Sequence, residues 1–338
     1  MTLFDHSCFV KYQVEGRDAC RVLNRVCAND IDGGVGRVVY TQWLNDAADG
    51  IEADVTVTRL SATAILVVSI AVPQRRDMAW LKRHISDNAH VHVQDATSGL
   101  LMLALMGPKA RALLARLSPQ DFSDAAFLFA SSREIDLGYS RVRASRLTYV
   151  GERGYEIYMP AEFAGHVFDQ IVEAEIGFGL RMGRYFAINA LRMEKGYRHW
   201  GHDIGEEDTP REMGLGFAVA MDKAGGFIGR DALLARAAGP LTRRLVQVRM
   251  VDEGPQAPLV CHNEPILRDG AIDGAITSGG WGHRIGASLG MGYVTCPDVV
   301  TDGWHAAVSW ELEVAWARHP ARVQLRPWFD PKGDRIKG

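Results

Sequence analysis

Short runs rich in β-branched residues at 55–60 and 64–70 predict two strands. Over 75–87 the period changes. Met78, Leu81 and Ile85 fall on one stripe at helical spacing, which predicts an amphipathic helix. Residues 91–94 read as a strand. Pro108 opens PKARALLARL and suits the first turn of a helix, where its missing N–H costs nothing. Residues 140–150 and 155–159 predict strands around a turn at Gly151 and Gly154, and 161–174 and 184–195 predict helices. After Ala238-Gly239-Pro240 the texture changes. Residues 245–250, 265–268, 275–278, 289–294 and 307–314 are short strand-like runs with Gly, Pro and Asp between them, a pattern of a small β-barrel or sandwich. A boundary near residue 240 divides the chain into 1–240 and 241–338.

Composition narrows the classes. The 338 residues suffice for two or three domains. A net charge of -3 gives no reason to expect nucleic acid or an anionic membrane as partner. No apolar run of about 18 residues is present, so no bilayer-spanning segment is expected. The opening MTLFDHSCFVKY carries acidic and polar residues early, unlike a secretory signal. Five scattered cysteines without a CxxC pair suit reduced thiols and a cytoplasmic location. His199 and His202 stand three apart with no second ligand pair nearby, so no metal site is expected.

Several residues are candidates for chemistry. Asp54 sits at the mouth of an apolar strand, where Asp is disfavoured. It is either a strand-initiating turn residue or a carboxylate aimed into a pocket. In YVGERGYEIYMP, Tyr149 and Glu156 flank a glycine turn, and taken alone the segment reads as a hairpin with a solvated glutamate. Asp77 fits the first turn of a helix, where it favours the dipole. Arg192 and Glu194 are two apart on one helix and point to different faces; helix-end pairing and a structural role beneath a ligand are equal readings. Phe217 reads most simply as a core residue. GGVGRV at 33–38 lacks the context of a dinucleotide fingerprint, so no flavin or nicotinamide site is expected.

LRMEKGYRHWGHDI (191–204), TPREMGLGFAV (209–219) and GGFIGRDALL (225–234) together resemble the folate-dependent aminomethyltransferases. That family holds the glycine-cleavage T-protein and the C-terminal halves of dimethylglycine and sarcosine dehydrogenases. GAITSGGWGHRIGASLGMGYV and WFDPKGDRIKG extend the resemblance from Leu3 to Gly338, in wording nearest the dehydrogenase branch. It implies an α+β fold: a folate-binding domain in two lobes, plus a C-terminal β-barrel, around a central funnel.

The resemblance also implies roles. Leu44-Asn45, Gly50-Ile51 and Asp54 match the family's LN-x-x-GGI-x-DD pattern, with Asp49 and Ala53 replacing a Gly and an Asp. Asp54 would be the catalytic carboxylate, steadying positive charge near N5 and N10 of tetrahydrofolate. Tyr149 and Glu156 match GYTGE-x-G-x-E, with Thr148 and Val150 as substitutions, and Glu156 would accept hydrogen bonds from the pterin. Tyr40 and Val68 would line the pterin. Phe217 falls where the family often has Trp, a wall for a folate ring. Ile188 stands where T-proteins place an arginine near the folate carboxylates, which leaves the cation for the acidic tail unidentified.

The function implied is a tetrahydrofolate-dependent one-carbon transferase. Its donor would be a small methylated amine or the iminium derived from it. An FAD-dependent dehydrogenase is a candidate partner. The alternatives are direct demethylation at N, O or S, and a non-catalytic folate-binding subunit or sensor. The cysteine of KGC-Y-x-GQE, carried by the related iron–sulfur repair factor, has no counterpart here.

Overall fold

The computed structural model describes residues 1–46, 50–254, 256–297 and 303–337, so Asp49 and Gly338 lie outside the described residues. In chain order the first part runs β1 (Thr2–Asp5), β2 (Val10–Glu15), α1 (Ala19–Val26), β3 (Val38–Leu44), β4 (Ile51–Arg59), β5 (Ala64–Ser69), α2 (Gln74–Arg83), β6 (His92–Asp95) and β7 (Leu100–Met106). It continues with α3 (Ala110–Leu117), β8 (Ser132–Leu137), β9 (Ser140–Ser145), β10 (Gly154–Pro160), α4 (Ala164–Glu173), β11 (Arg181–Gly183), α5 (Tyr185–Glu194) and α6 (Arg230–Ala237). Then come β12 (Arg243–Glu253), β13 (Pro265–Arg268), β14 (Ala271–Gly282), β15 (Ala287–Thr295), β16 (Trp310–Val314), β17 (Ala317–Gln324) and α7 (Asp334–Lys337).

Two sheets and a barrel result. One sheet has the order β3-β4-β5-β2-β6, and the second β11-β1-β7-β10-β9-β8. The closed barrel runs β12-β15-β14-β13-β16-β17. The sandwich alternative for the C-terminal part is therefore set aside, and the α+β class holds.

Strand alternation gives each sheet two different faces. In the first sheet Trp43, Ala53, Val55, Val57, Ile65 and Val67 pack with Leu23 of α1 and Leu81 of α2. The opposite face carries the intervening positions. Tyr40 pairs with Thr56, Thr56 with Val68, and Val68 with Lys11, while Gln42 pairs with Asp54. In the second sheet Leu103, Leu105, Tyr155, Ile157 and Met159 pack with Leu113 of α3 and Ile171 of α4. Its other face carries Phe4, Ala104, Glu156 and Tyr158, with Glu156 opposite Ala104. The two polar-bearing faces meet where Leu66 and Val68 cluster with Met102 and Tyr158. Helices cover the outsides, so these two faces turn toward each other.

Three of the differences from the sequence reading have a clear local cause. The strand expected over 140–150 stops at Ser145, and residues 146–153 form a loop. Buried Arg146 draws the chain away by donating to the Phe127 and Lys337 carbonyls, both at 2.6 Å, and Gly151 turns it at φ 70°. The helix expected over 75–87 ends at Arg83, because the N–H groups of His84 and Ile85 bond back three residues to Leu81 and Lys82. The strand expected over 307–314 starts only at Trp310; Ser309 before it is held by Asp269 through its N–H and hydroxyl, both at 2.9 Å.

Gly50 shows why one motif position must be small. A Cβ there would lie 1.7 Å from the Glu206 carbonyl oxygen. Gly50→Ala is expected to cost about 1–3 kcal/mol through forced backbone displacement. Urea denaturation of the full chain measures it, and an unchanged midpoint would contradict the packing described.

Candidate functional site

Asp54 lies on β4 on the face opposite the helix-covered one. Gln42 Nε2 donates to Asp54 Oδ1 at 2.9 Å, and the Tyr40 hydroxyl donates to Oδ2 at 3.0 Å. Both donors come from β3, the hydrogen-bonded neighbour of β4. Burial pushes the Asp54 carboxyl up to about 6, although these two bonds and the Arg198 charge oppose the shift. Burial, followed by the charge of Asp54, holds Tyr40 well above its ordinary value, so it stays a neutral donor. Asp54 is thus a held carboxyl with lone pairs left over, rather than a turn residue.

Glu156 approaches from the other sheet. The Tyr158 hydroxyl donates to Glu156 Oε2 at 2.6 Å, and no described residue donates to Oε1. Burial raises the Glu156 carboxyl, with the Tyr158 bond opposing. Val68, buried in β5, shares a cluster with Tyr158, which ties the first sheet to the Glu156-bearing strand of the second.

Tyr149 sits on the 146–153 loop, not on a strand as expected. Its ring stacks on Tyr197 with centroids 5.7 Å apart, and its hydroxyl donates to the Arg198 carbonyl at 2.7 Å. It packs beside Phe4, Ala104 and Ile188, the same cluster that underlies Glu156. The charge of Asp54 also reaches Tyr149. Tyr40 and Asp54 are thus joined directly, Tyr149 lies within electrostatic range of Asp54, and Val68 is linked to Glu156 through Tyr158.

Phe217 is not a core residue. It is 74% exposed and stacks on Tyr40 with centroids 6.2 Å apart. An exposed aromatic stacked on the tyrosine that holds Asp54 is available to a ligand ring.

Next to Tyr197, on which Tyr149 stacks, lies a buried polar network. Arg192 Nη1 pairs with Asp203 Oδ2 at 2.5 Å with both side chains buried. Arg192 also donates to the Asn189 side chain, the Tyr197 carbonyl and the Ser278 hydroxyl. Asp203 accepts from the His199 N–H at 2.9 Å and from the Thr277 hydroxyl at 2.7 Å. Thr277 and Ser278 belong to β14, so the barrel contributes directly. Glu194 instead accepts from the Arg284 N–H at 2.6 Å. Arg192 and Glu194 do point apart, and each is bound into structure. Asp77, in the first turn of α2, accepts from the Ser69 hydroxyl at 2.7 Å and is structural as well.

Sequence reasoning missed Gln42, Tyr158 and Arg198. Gln42 is legible only once β3 and β4 are paired. Tyr158 is two residues beyond Glu156 on a strand, a spacing that puts both on one face. Arg198 lay within EKGYRHWGHDI but carried no signal of its own. Its guanidinium donates to the carbonyls of Gly196 at 2.8 Å and Met213 at 2.6 Å, within electrostatic range of Asp54.

Comparison with known proteins bears on family and fold. Residues 1–223 match the GCVT N-terminal domain, and residues 243–330 match the glycine cleavage T-protein C-terminal barrel domain. The chain is 40% identical over 338 residues to 4-methylaminobutanoate oxidase (formaldehyde-forming) of Paenarthrobacter nicotinovorans, covering 100% of this chain and 40% of that protein. It is 31% identical over 358 residues to mitochondrial sarcosine dehydrogenase of Homo sapiens, covering 99% and 38%. An aminomethyltransferase of Caldanaerobacter subterraneus subsp. tengcongensis is 30% identical over 324 residues, covering 96% and 83%. The chain spans about two-fifths of the length of the first two relatives. The glycine cleavage system aminomethyltransferase T of Bartonella henselae has the same fold, with a TM-score of 0.83 at 24% identity over 98% of this chain and 86% of that one.

Proposed function

The chain belongs to the glycine cleavage T-protein (aminomethyltransferase) family, and from that premise we propose that it is a tetrahydrofolate-dependent one-carbon transferase. The donor we propose is a methylated amine carrying a carboxylate, or its iminium. Sarcosine and 4-methylaminobutanoate are the first to test, since relatives named for them share 31% and 40% identity with the chain. An FAD-dependent dehydrogenase would generate the iminium.

The observation that carries this reading is a pair of buried carboxyl groups, one from each sheet, in different states of satisfaction. Asp54 is held by two donors, and Glu156 has one oxygen bound by Tyr158 and the other without a protein donor. A pterin presents an amino group and a ring N–H side by side, which such a glutamate accepts together. Gln42 Oε1 is buried without a partner and adds a further acceptor beside Asp54. The residues present therefore fit tetrahydrofolate.

Tetrahydrofolate supplies two nitrogens, N5 and N10, that accept a one-carbon unit. The chain's own groups orient and polarise. Glu156 fixes the pterin edge, Phe217 and Tyr40 offer ring faces, and the apolar backs of both sheets hold these groups in place. Asp54, tuned to about 6, can take up a proton near neutral pH and steady an incoming cation.

Calorimetric titration of the full chain tests this. Wild type is expected to bind tetrahydrofolate, and Glu156→Ala to weaken binding about 10- to 100-fold, the worth of charge-assisted hydrogen bonds. Absence of binding to wild type, or equal affinity in the variant, would overturn the pterin site.

A further inference from the structure

Two guanidinium groups crowd a single backbone position. A Cβ on Gly214 would lie 2.7 Å from Arg244 Nη2 and 3.3 Å from Arg198 Nη2. Both arginines give their protons to backbone: Arg198 to Gly196 and Met213, and Arg244 to the Arg211 carbonyl. Arg198 Nε is buried without any partner.

The neighbouring carboxylates are already committed. Asp203 is paired with Arg192, while Asp208 and Glu212 are paired with Arg243, and Glu212 also with Arg236. Among the described residues no carboxylate lies within ion-pair distance of Arg198 or Arg244. The two cations repel one another, and in a partly buried setting that repulsion is weakly screened. An anion placed between them would relieve it.

A route to Arg244, and to the Gly214 position that both guanidiniums crowd, exists. A cleft of about 420 Å³ is walled by Gly216, Val219, Met221 and Leu233 and reaches Gly214 and Arg244. The loop that forms its wall also carries Phe217, which stacks on Tyr40 beside Asp54. The loop therefore borders both the cleft and the reacting end of the site. Ile188 sits in an apolar cluster with Phe4 and Met106 and offers no charge there.

We propose that Arg198 and Arg244 form a carboxylate-binding site that holds the distal end of a ligand whose reacting end lies at Asp54. The proposal rests on the one-carbon reading above. The carboxylate has two sources of the same chemistry: the glutamyl tail of the folate, which follows an aryl group suited to the apolar walls, or the acid group of the amine donor.

Full-chain wild type, Arg244→Gln and Arg244→Lys are titrated with tetrahydrofolate and with 6-methyltetrahydropterin, which has the ring but no tail. They are also titrated with sarcosine, sarcosine methyl ester and p-aminobenzoylglutamate. The expected result is a roughly 10- to 100-fold loss of tetrahydrofolate affinity in Arg244→Gln, partial recovery in Arg244→Lys, and unchanged 6-methyltetrahydropterin binding. Loss confined to sarcosine and absent for its ester assigns the same site to the donor. Unchanged affinity for every carboxylate ligand overturns the proposal while the pterin site stands. If wild type binds neither pterin, the one-carbon reading fails, and p-aminobenzoylglutamate decides: binding that depends on Arg244 retains the carboxylate site, and no binding removes it.

Discussion

Asp54→Asn is expected to lower turnover about 10²- to 10⁴-fold, the range for loss of a positioned acid–base group. Tetrahydrofolate affinity should stay within a few-fold. The substitution keeps shape and contacts: Gln42 still donates to the side-chain oxygen, and the Tyr40 hydroxyl can turn to accept from the new amide. What disappears is the charge. Turnover in the wild type should rise with pH through about 6, as Asp54 ionises.

Stability should move the other way. The folded pKa, about 6, lies above the ordinary 3.8, so folding opposes the charged form. That penalty is complete above pH 6, shrinks as pH falls from 6 to 3.8, and is absent below. Asp54→Asn removes it, for a gain of about 1–3 kcal/mol at neutral pH that vanishes in acid. Steady-state assays and urea denaturation across pH check both halves. Undiminished turnover would remove Asp54 from the chemistry, and a lower midpoint at neutral pH would contradict its burial.

Arg192→Met carries the largest expected loss of stability, about 3–5 kcal/mol, the cost of leaving one member of a buried ion pair without its partner. Asp203 would keep only the His199 N–H and the Thr277 hydroxyl as donors. The Ser278 hydroxyl and the Tyr197 carbonyl would also lose their donor. Replacing Asp203 by Leu in the same chain should recover part of the loss by removing the stranded charge. Urea denaturation decides, and a loss below about 1 kcal/mol would mean that the pair is replaceable by solvent.

Local pattern revealed elements whose stabilising contacts are periodic. β4 and β5 announce themselves through β-branched residues, and α5 through its length. β17, ARHPARVQ, does not, because only Val323 among its residues is buried and a proline interrupts it. Its place is secured by main-chain pairing to β12 and β16, which close the barrel, and main-chain pairing leaves no hydrophobic signature. The 146–153 loop misled for the opposite reason: RLTYV looks like a strand, but the contacts of Arg146 and Tyr149 with distant residues prevail.

The site divides in the same way. Asp54 and Glu156 were legible as motif members, with their roles implied only by resemblance. Their partners Gln42 and Tyr158 required knowing which face of each strand turns inward. That Phe217 is exposed could not be read from GLGFAV, since a phenylalanine in an apolar run looks like core. The Arg198–Arg244 pair joins residues 46 positions apart, brought together only where the loop at Gly214 meets the start of β12.

The two hydroxyls that β14 places on the buried pair, Thr277 on Asp203 and Ser278 on Arg192, have a wider consequence. They make the barrel a keystone. Without it the buried pair would open to water, and the backbone at Tyr197, on which Tyr149 stacks, would lose its support. The sheets and the barrel are therefore expected to melt in one transition.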